Sequence, residues 1–109
     1  MLQVTLFHLE TPTIKVDIQA YFENEKLIIE GYDIGKSVND WFGDSDYEYK
    51  TTIHENEVNK IYPLLQIQEG DKEALLKAIA DHYKTNSCYS EFSDFLTKNG
   101  IQSEKFSWT

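Results

Sequence analysis

Four aspartates and one glutamate fall in the stretch GYDIGKSVNDWFGDSDYEYK at residues 31–50, beside three glycines and five aromatic residues, and Asp33, Asp44, Asp46 and Glu48 are the four considered for chemistry. Paired carboxylates can divide acid and base roles between them, as in glycoside hydrolysis, so one reading is a small hydrolase or metal-dependent enzyme. That reading requires at least two of the four to converge on a pocket. A chain of 109 residues offers little cleft for an extended substrate, and the same stretch reads better as a docking surface. Asp33, Asp44, Asp46 and Glu48 then supply charge, and Trp41 and Phe42, with Tyr47 and Tyr49, supply anchors. A third reading is purely structural, with the glycines at positive φ and the aromatics filling the core under helices.

Metal chemistry finds little support in the spacing. Asp44, Asp46, Glu48 and Glu55 occupy positions one, three, five and twelve of a calcium loop, but position six, which must turn sharply as glycine, is Tyr49. Position eight, normally aliphatic, is Thr51, and the residues between alternate as a strand does. His8, His54 and His82 form no HxH or HExxH pattern, and His54 and Glu55, as neighbours on a strand, would point to opposite faces. Cys88 sits among apolar helix residues and reads as a small buried hydrophobe rather than a nucleophile. Gly31, Gly35 and Gly43 are wrongly spaced for a phosphate loop, and the acids around them repel phosphate. No catalytic residue, metal ligand or cofactor is assigned, and the expectation is a protein that is not an enzyme.

The elements that carry these residues follow from periodicity. Leu2, Val4 and Leu6 alternate with polar residues, as do Ile14, Val16, Ile18 and Ala20, and Thr11-Pro12 separates them as a hairpin turn. Glu23-Asn24-Glu25 forms a second turn into the strand KLIIEGYD. After a glycine-punctuated connection over about 34–46, YEYKTTI predicts a fourth strand, with Tyr47, Tyr49, Thr51 and Ile53 on one face and Glu48, Lys50 and Thr52 on the other, toward solvent. A weak helix over 55–67 is kinked or shortened by Pro63. A strong one over 71–84, capped by Asp71, carries the stripe Ala74, Leu75, Ala78, Ile79 and Tyr83. A third, over 87–100, has Ser87 as cap, Cys88, Phe92, Phe95 and Leu96 inward, and Gly100 as stop. Phe106 and Trp108 mark a last strand at the sheet edge. The order β-β-β-β-α-α-α-β predicts one α+β domain over 1–109: an antiparallel sheet of four to five strands with three helices on one face.

Composition narrows the partners. Forty per cent apolar and 14% aromatic residues suit a compact fold, and a chain of this length buries roughly 65% of its unfolded surface without needing a disulfide or metal. Nineteen acids against ten bases give a net charge of −9, which disfavours nucleic acid and anionic lipid and favours a basic protein partner. The lone cysteine and an N-terminus without a basic start or long apolar run point to the cytoplasm, and no stretch approaches the ~20 apolar residues of a membrane span. An exposed sheet edge could pair two copies or be blunted by Lys105 and the charged strand faces.

Gly31, Asp33, Gly35, Val38, Gly43, Asp46, Tyr47, Glu48 and Tyr49, then Phe92, Phe95, Leu96, Gly100, Ile101 and Trp108, give the pattern GxDxG, (W/F)GDxDYEY, FxxFLxxxGI and a near-terminal FSW. This resembles a group of small bacterial proteins with no established activity, and the resemblance implies a shared fold rather than a reaction. In size and charge the chain is also similar to immunity proteins, which neutralise a toxin. The expected function is therefore an acidic cytoplasmic protein-binding domain, an immunity or inhibitor protein that docks a basic partner such as a toxin.

Overall fold

A computed structural model describes residues 2–12, 14–35, 46–85 and 87–108, with only the backbone at 46 and 108. Five strands, β1 (Gln3–Glu10), β2 (Ile14–Glu23), β3 (Lys26–Gly35), β4 (Asp46–Ile53) and β5 (Glu104–Trp108), form one antiparallel sheet in the order β1-β2-β3-β4-β5. Four helical pieces, α1 (Glu55–Val58), α2 (Ile61–Leu64), α3 (Lys72–His82) and α4 (Cys88–Lys98), cover one face. The predicted α+β class and element order are those observed. The first of the three expected helices is divided in two.

That division follows from Pro63. Its missing N–H would leave the Asn59 carbonyl unpaired in a continuous helix, whereas in the first turn of α2 no donor is needed. α2 then closes with a Schellman motif: the Ile67 N–H donates to the Tyr62 carbonyl at 2.9 Å and the Gln66 N–H to Pro63 at 3.2 Å. α4 closes the same way, Ile101 to Leu96 and Gly100 to Thr97. The left-handed residue is Gly100 (φ 69°) in α4 but Gln66 (φ 59°) in α2. Asp71 caps α3 as expected, its Oδ1 accepting from the Ala74 N–H at 3.2 Å. Ser87 does not cap α4 with its side chain; the nearby Thr85 hydroxyl instead accepts from the Ser87 N–H and donates to Glu91.

The core is one layer between sheet and helices. Val16, Ile18, Ala20 and Phe22 from β2, Leu27 and Ile29 from β3 and Ile53 from β4 meet Val58, Ile61, Tyr62, Leu75, Leu76, Ile79, Cys88, Phe92 and Leu96. The period of two places these strand residues on one side, and the helical stripes complete the layer. In β1 the expected even phase holds at Val4 and at Leu6, which is buried in the core, but not at Leu2, which is exposed. A bulge between Thr5 and Phe7 lets both Leu6 and Phe7, the latter opposite Ile18, pack on the core. Asn24 (φ 50°) and Glu25 (φ 68°) both adopt the left-handed conformation that a two-residue primed hairpin turn needs.

Glu57 ties α1 to the chain that leads into β5. Its carboxylate accepts from the Lys60 ammonium at 2.8 Å and from the Gln102 N–H at 2.8 Å, which holds it below the usual carboxylate range. Because the folded value is lowered, this stabilisation is present at neutral pH and is lost as pH falls below the ordinary glutamate value of about 4.5 and on through the lowered folded one. Glu57→Gln is expected to lower the urea midpoint at pH 7 and to leave a shallower loss of stability between pH 5 and 3 than in the parent. Gln66→Gly, which relieves a left-handed side chain within an intact motif, should raise unfolding free energy by about 1 kcal/mol in the same assay.

Candidate functional site

Along the helix-covered face of β4, shelter falls off residue by residue. Ile53 and Thr51 are fully buried, Tyr49 is half-buried, and Tyr47 keeps 42% of its surface in water. The helices end their cover at the start of α4, whose Tyr89 reaches back to the sheet: the Thr51 hydroxyl donates to the Tyr89 oxygen at 2.6 Å. Beyond that point β3, β4 and β5 continue without cover from the described helices. Their register sets Gly31 opposite Tyr49 and Tyr49 opposite Ser107, with Asp33 opposite Tyr47 and Lys105 opposite Thr51. All of these positions share the helix-side face.

The result is a groove of about 560 Å³. Tyr47, Tyr49 and Tyr89 form its aromatic side, Asp33 its acidic corner, and the backbone run Lys105 to Ser107, with Ser90, its far wall. Tyr49 and Tyr89 meet edge to face with centroids 4.6 Å apart, and Tyr47 and Tyr49 are tilted at 5.5 Å. The Tyr49 hydroxyl donates to Asp33 Oδ1 at 3.0 Å. Burial first, and then this bond to a carboxylate, push the Tyr49 phenol well above its ordinary value, so it stays a neutral donor. Burial raises Tyr89 as well.

Gly31 makes this packing possible. A Cβ there would lie 2.0 Å from Tyr49 Cε2 and 2.2 Å from Cζ, so the ring occupies the space a side chain would need. The glycine is thus explained by close approach within an ordinary extended strand and not by the positive φ that the purely structural reading gave it. Tyr47, expected inward, is on the inward face but reaches past the helices and is exposed.

Of the six residues expected to form the site, Asp33 lines the groove and Glu48 does not. Glu48 pairs with Tyr32 and occupies the opposite face of the sheet, because adjacent strand residues alternate. Asp33 and Glu48 therefore do not converge as an acid and base. Asp46 is described only by its backbone, opposite Ile34. Trp41, Phe42 and Asp44 lie outside the described residues, as does the connection between β3 and β4. The calcium-loop spacing fails on geometry, since residues 46–53 are a strand. No group of three or more potential metal ligands is found among the described residues. Cys88 is buried, and its thiol is pushed up to about 11 by desolvation, which removes it as a nucleophile near neutral pH.

Tyr89, Ser90, Lys105 and Ser107 enter the site from parts of the chain in which no local pattern marked them. Two smaller hollows, each about 240 Å³, lie elsewhere. One is on the uncovered sheet face, where Gln19 Nε2 donates to Asp17 at 3.0 Å and the Tyr21 hydroxyl to Glu30 at 2.7 Å. The other lies by the His54–Glu104 pair. Neither brings together aromatic and charged side chains around an opening comparable to the groove.

In comparisons with protein-family models, curated proteins and solved structures, none matched the chain significantly. The site is therefore judged on its own geometry.

Gly31→Ala should displace the Tyr49 ring and cost about 1–3 kcal/mol of stability. Tyr49→Ala in the same chain should remove most of that penalty, so a double-mutant cycle by urea denaturation is expected to be strongly non-additive.

Proposed function

We propose that this chain is a protein-binding domain rather than an enzyme, and that it docks a partner with a basic surface through the tyrosine groove. The observation that carries the reading is the exposed Tyr47 standing beside the half-buried Tyr49 and Tyr89 and the Asp33 carboxylate. Tyrosine loses little side-chain entropy on binding and offers both ring area and a polar tip, which is why it recurs among residues that dominate interfaces. The groove's walls are pre-formed by packing and hydrogen bonds, so little ordering is left to be done when a partner arrives. A net charge of −9 supplies long-range attraction for a basic partner. The expected setting is cytoplasmic, and an immunity or inhibitor protein acting on a toxin is the role that size and charge favour.

The alternative of a carboxylate-based hydrolase draws no support from Asp33 and Glu48, which lie on opposite faces of the sheet. No helix among the described residues is long and apolar enough to cross a membrane.

The test is affinity capture with the product of the neighbouring gene, followed by titration of the isolated pair. Tyr47→Ala, which removes an exposed ring and little of the core, should weaken the complex by about 2 kcal/mol, roughly thirtyfold. Lys15→Ala, on the uncovered face, should leave it unchanged. The association rate of the parent should fall as salt is raised from 50 to 500 mM, in keeping with steering. Equal affinity of the Tyr47 variant and the parent would rule out the groove as the docking site.

A further inference from the structure

The groove's chemistry defines what kind of group it can receive, and this inference rests on the docking reading above. We infer that the groove takes an arginine side chain of the partner, with the guanidinium seated against Asp33 and lying along the tyrosine rings.

Three observations lead to it. Asp33 enters the groove as a carboxylate that, among the described residues, accepts one hydrogen bond, from the Tyr49 hydroxyl at 3.0 Å. A carboxylate has about four lone-pair positions, so capacity for further donors is left, and nothing but a donor satisfies it. The second is the aromatic wall. Tyr47, with 42% of its surface in water, and its neighbours Tyr49 and Tyr89 offer ring area to a cation, which the ring quadrupole attracts. Tyr49 is held neutral, so the wall adds donors and ring faces without a second negative charge.

The third is shape. The groove holds about 560 Å³, room for a long side chain with some solvent, and it is open rather than enclosed by the helices. A guanidinium is planar, gives up its hydration more readily than an ammonium and can both stack on a ring and donate to a carboxylate. Lysine would meet Asp33 as a point charge and gain less from the rings. Arginine is therefore the better fit.

Among the described residues that line the groove, Lys105 opposes a cation. It lies on the far wall, opposite Thr51 in register, and forms no ion pair with Asp33. Its charge raises the cost of bringing a second cation into the groove. Removing it should improve binding, an effect that a purely structural tyrosine cluster would not produce.

The experiment is an NMR titration of the full chain with N-acetyl-arginine amide, and in parallel with the matching citrulline and lysine compounds. Arginine amide is expected to give saturable shifts at Tyr47, Tyr49 and Tyr89 with a Kd on the order of 1 mM, lysine weaker shifts and citrulline none. Asp33→Asn should weaken arginine binding by about tenfold, and Lys105→Ala should strengthen it by about two- to threefold. If Asp33→Asn perturbs the fold, the Lys105 variant still decides the matter. Equal responses to arginine and citrulline, shifts confined to another surface, or a Lys105→Ala chain that binds no better than the parent would each overturn the inference. Absence of arginine binding alongside loss of partner capture in Tyr47→Ala would remove the arginine site and leave the docking reading in place. Arginine binding with capture unaffected by Tyr47→Ala would do the reverse.

Discussion

The pairing of β3 with β4, running from Leu27 opposite Ile53 to Ile34 opposite Asp46, is the constraint on which the other features depend. Its period of two turns Leu27, Ile29 and Ile53 into the core and, a few residues further along the same face, brings Gly31, Asp33, Tyr47 and Tyr49 together. A slip of one residue would expose the apolar set to water and turn the tyrosines to the other face. Burial of the isoleucines and leucines thus fixes the site as a by-product of stabilising the core. The chemistry is set at one end of the layer and the stability at the other.

Gly31 marks where the two meet. In a strand interior glycine ordinarily weakens the ladder, because it packs nothing and has more entropy to lose on folding. Here the Tyr49 ring fills the vacancy and so shields the backbone that the glycine leaves bare. The ring is then braced by Tyr89 from α4 and by the Asp33 carboxylate. A rigid aromatic platform results, with Tyr47 at its exposed margin. Rigidity of that kind favours recognition, since the entropy of ordering the rings has already been lost in folding.

Charge organises the surface differently on the two faces. On the uncovered face, cross-strand neighbours such as Glu30 and Lys50, Glu23 and Lys26, and Glu10 and Lys15 pair opposite signs, which contributes modestly to sheet stability, while Asp17, Glu48 and Glu104 leave that face net acidic. In the groove, Asp33 and Lys105 stand apart without pairing. The cluster of tyrosines beside Asp33, rather than a local excess of charge, distinguishes the groove.

Much of the fold was legible in the sequence because it follows from short-range periodicity and composition. The alternation in Val16 to Ala20, the stripe of Leu75 and Ile79, the cap at Asp71 and the stop at Gly100 each depend on neighbours a few residues away, and the structure has them where the pattern placed them, whereas Ile14 at the strand's start is exposed. The bulge in β1 and the division at Pro63 were less legible, since each reflects how a local irregularity is absorbed by packing. The site was only half legible. Sequence clustering gathered Asp33 and Glu48 into one set, but pleating sends them to opposite faces. Tyr89 and Lys105, 40 and 56 positions beyond Tyr49, carry no local mark of belonging with it. Periodicity determines which face a residue occupies within its own element. Which elements stand side by side is decided by long-range burial, and only that brought Gly31, Tyr49 and Tyr89 into contact.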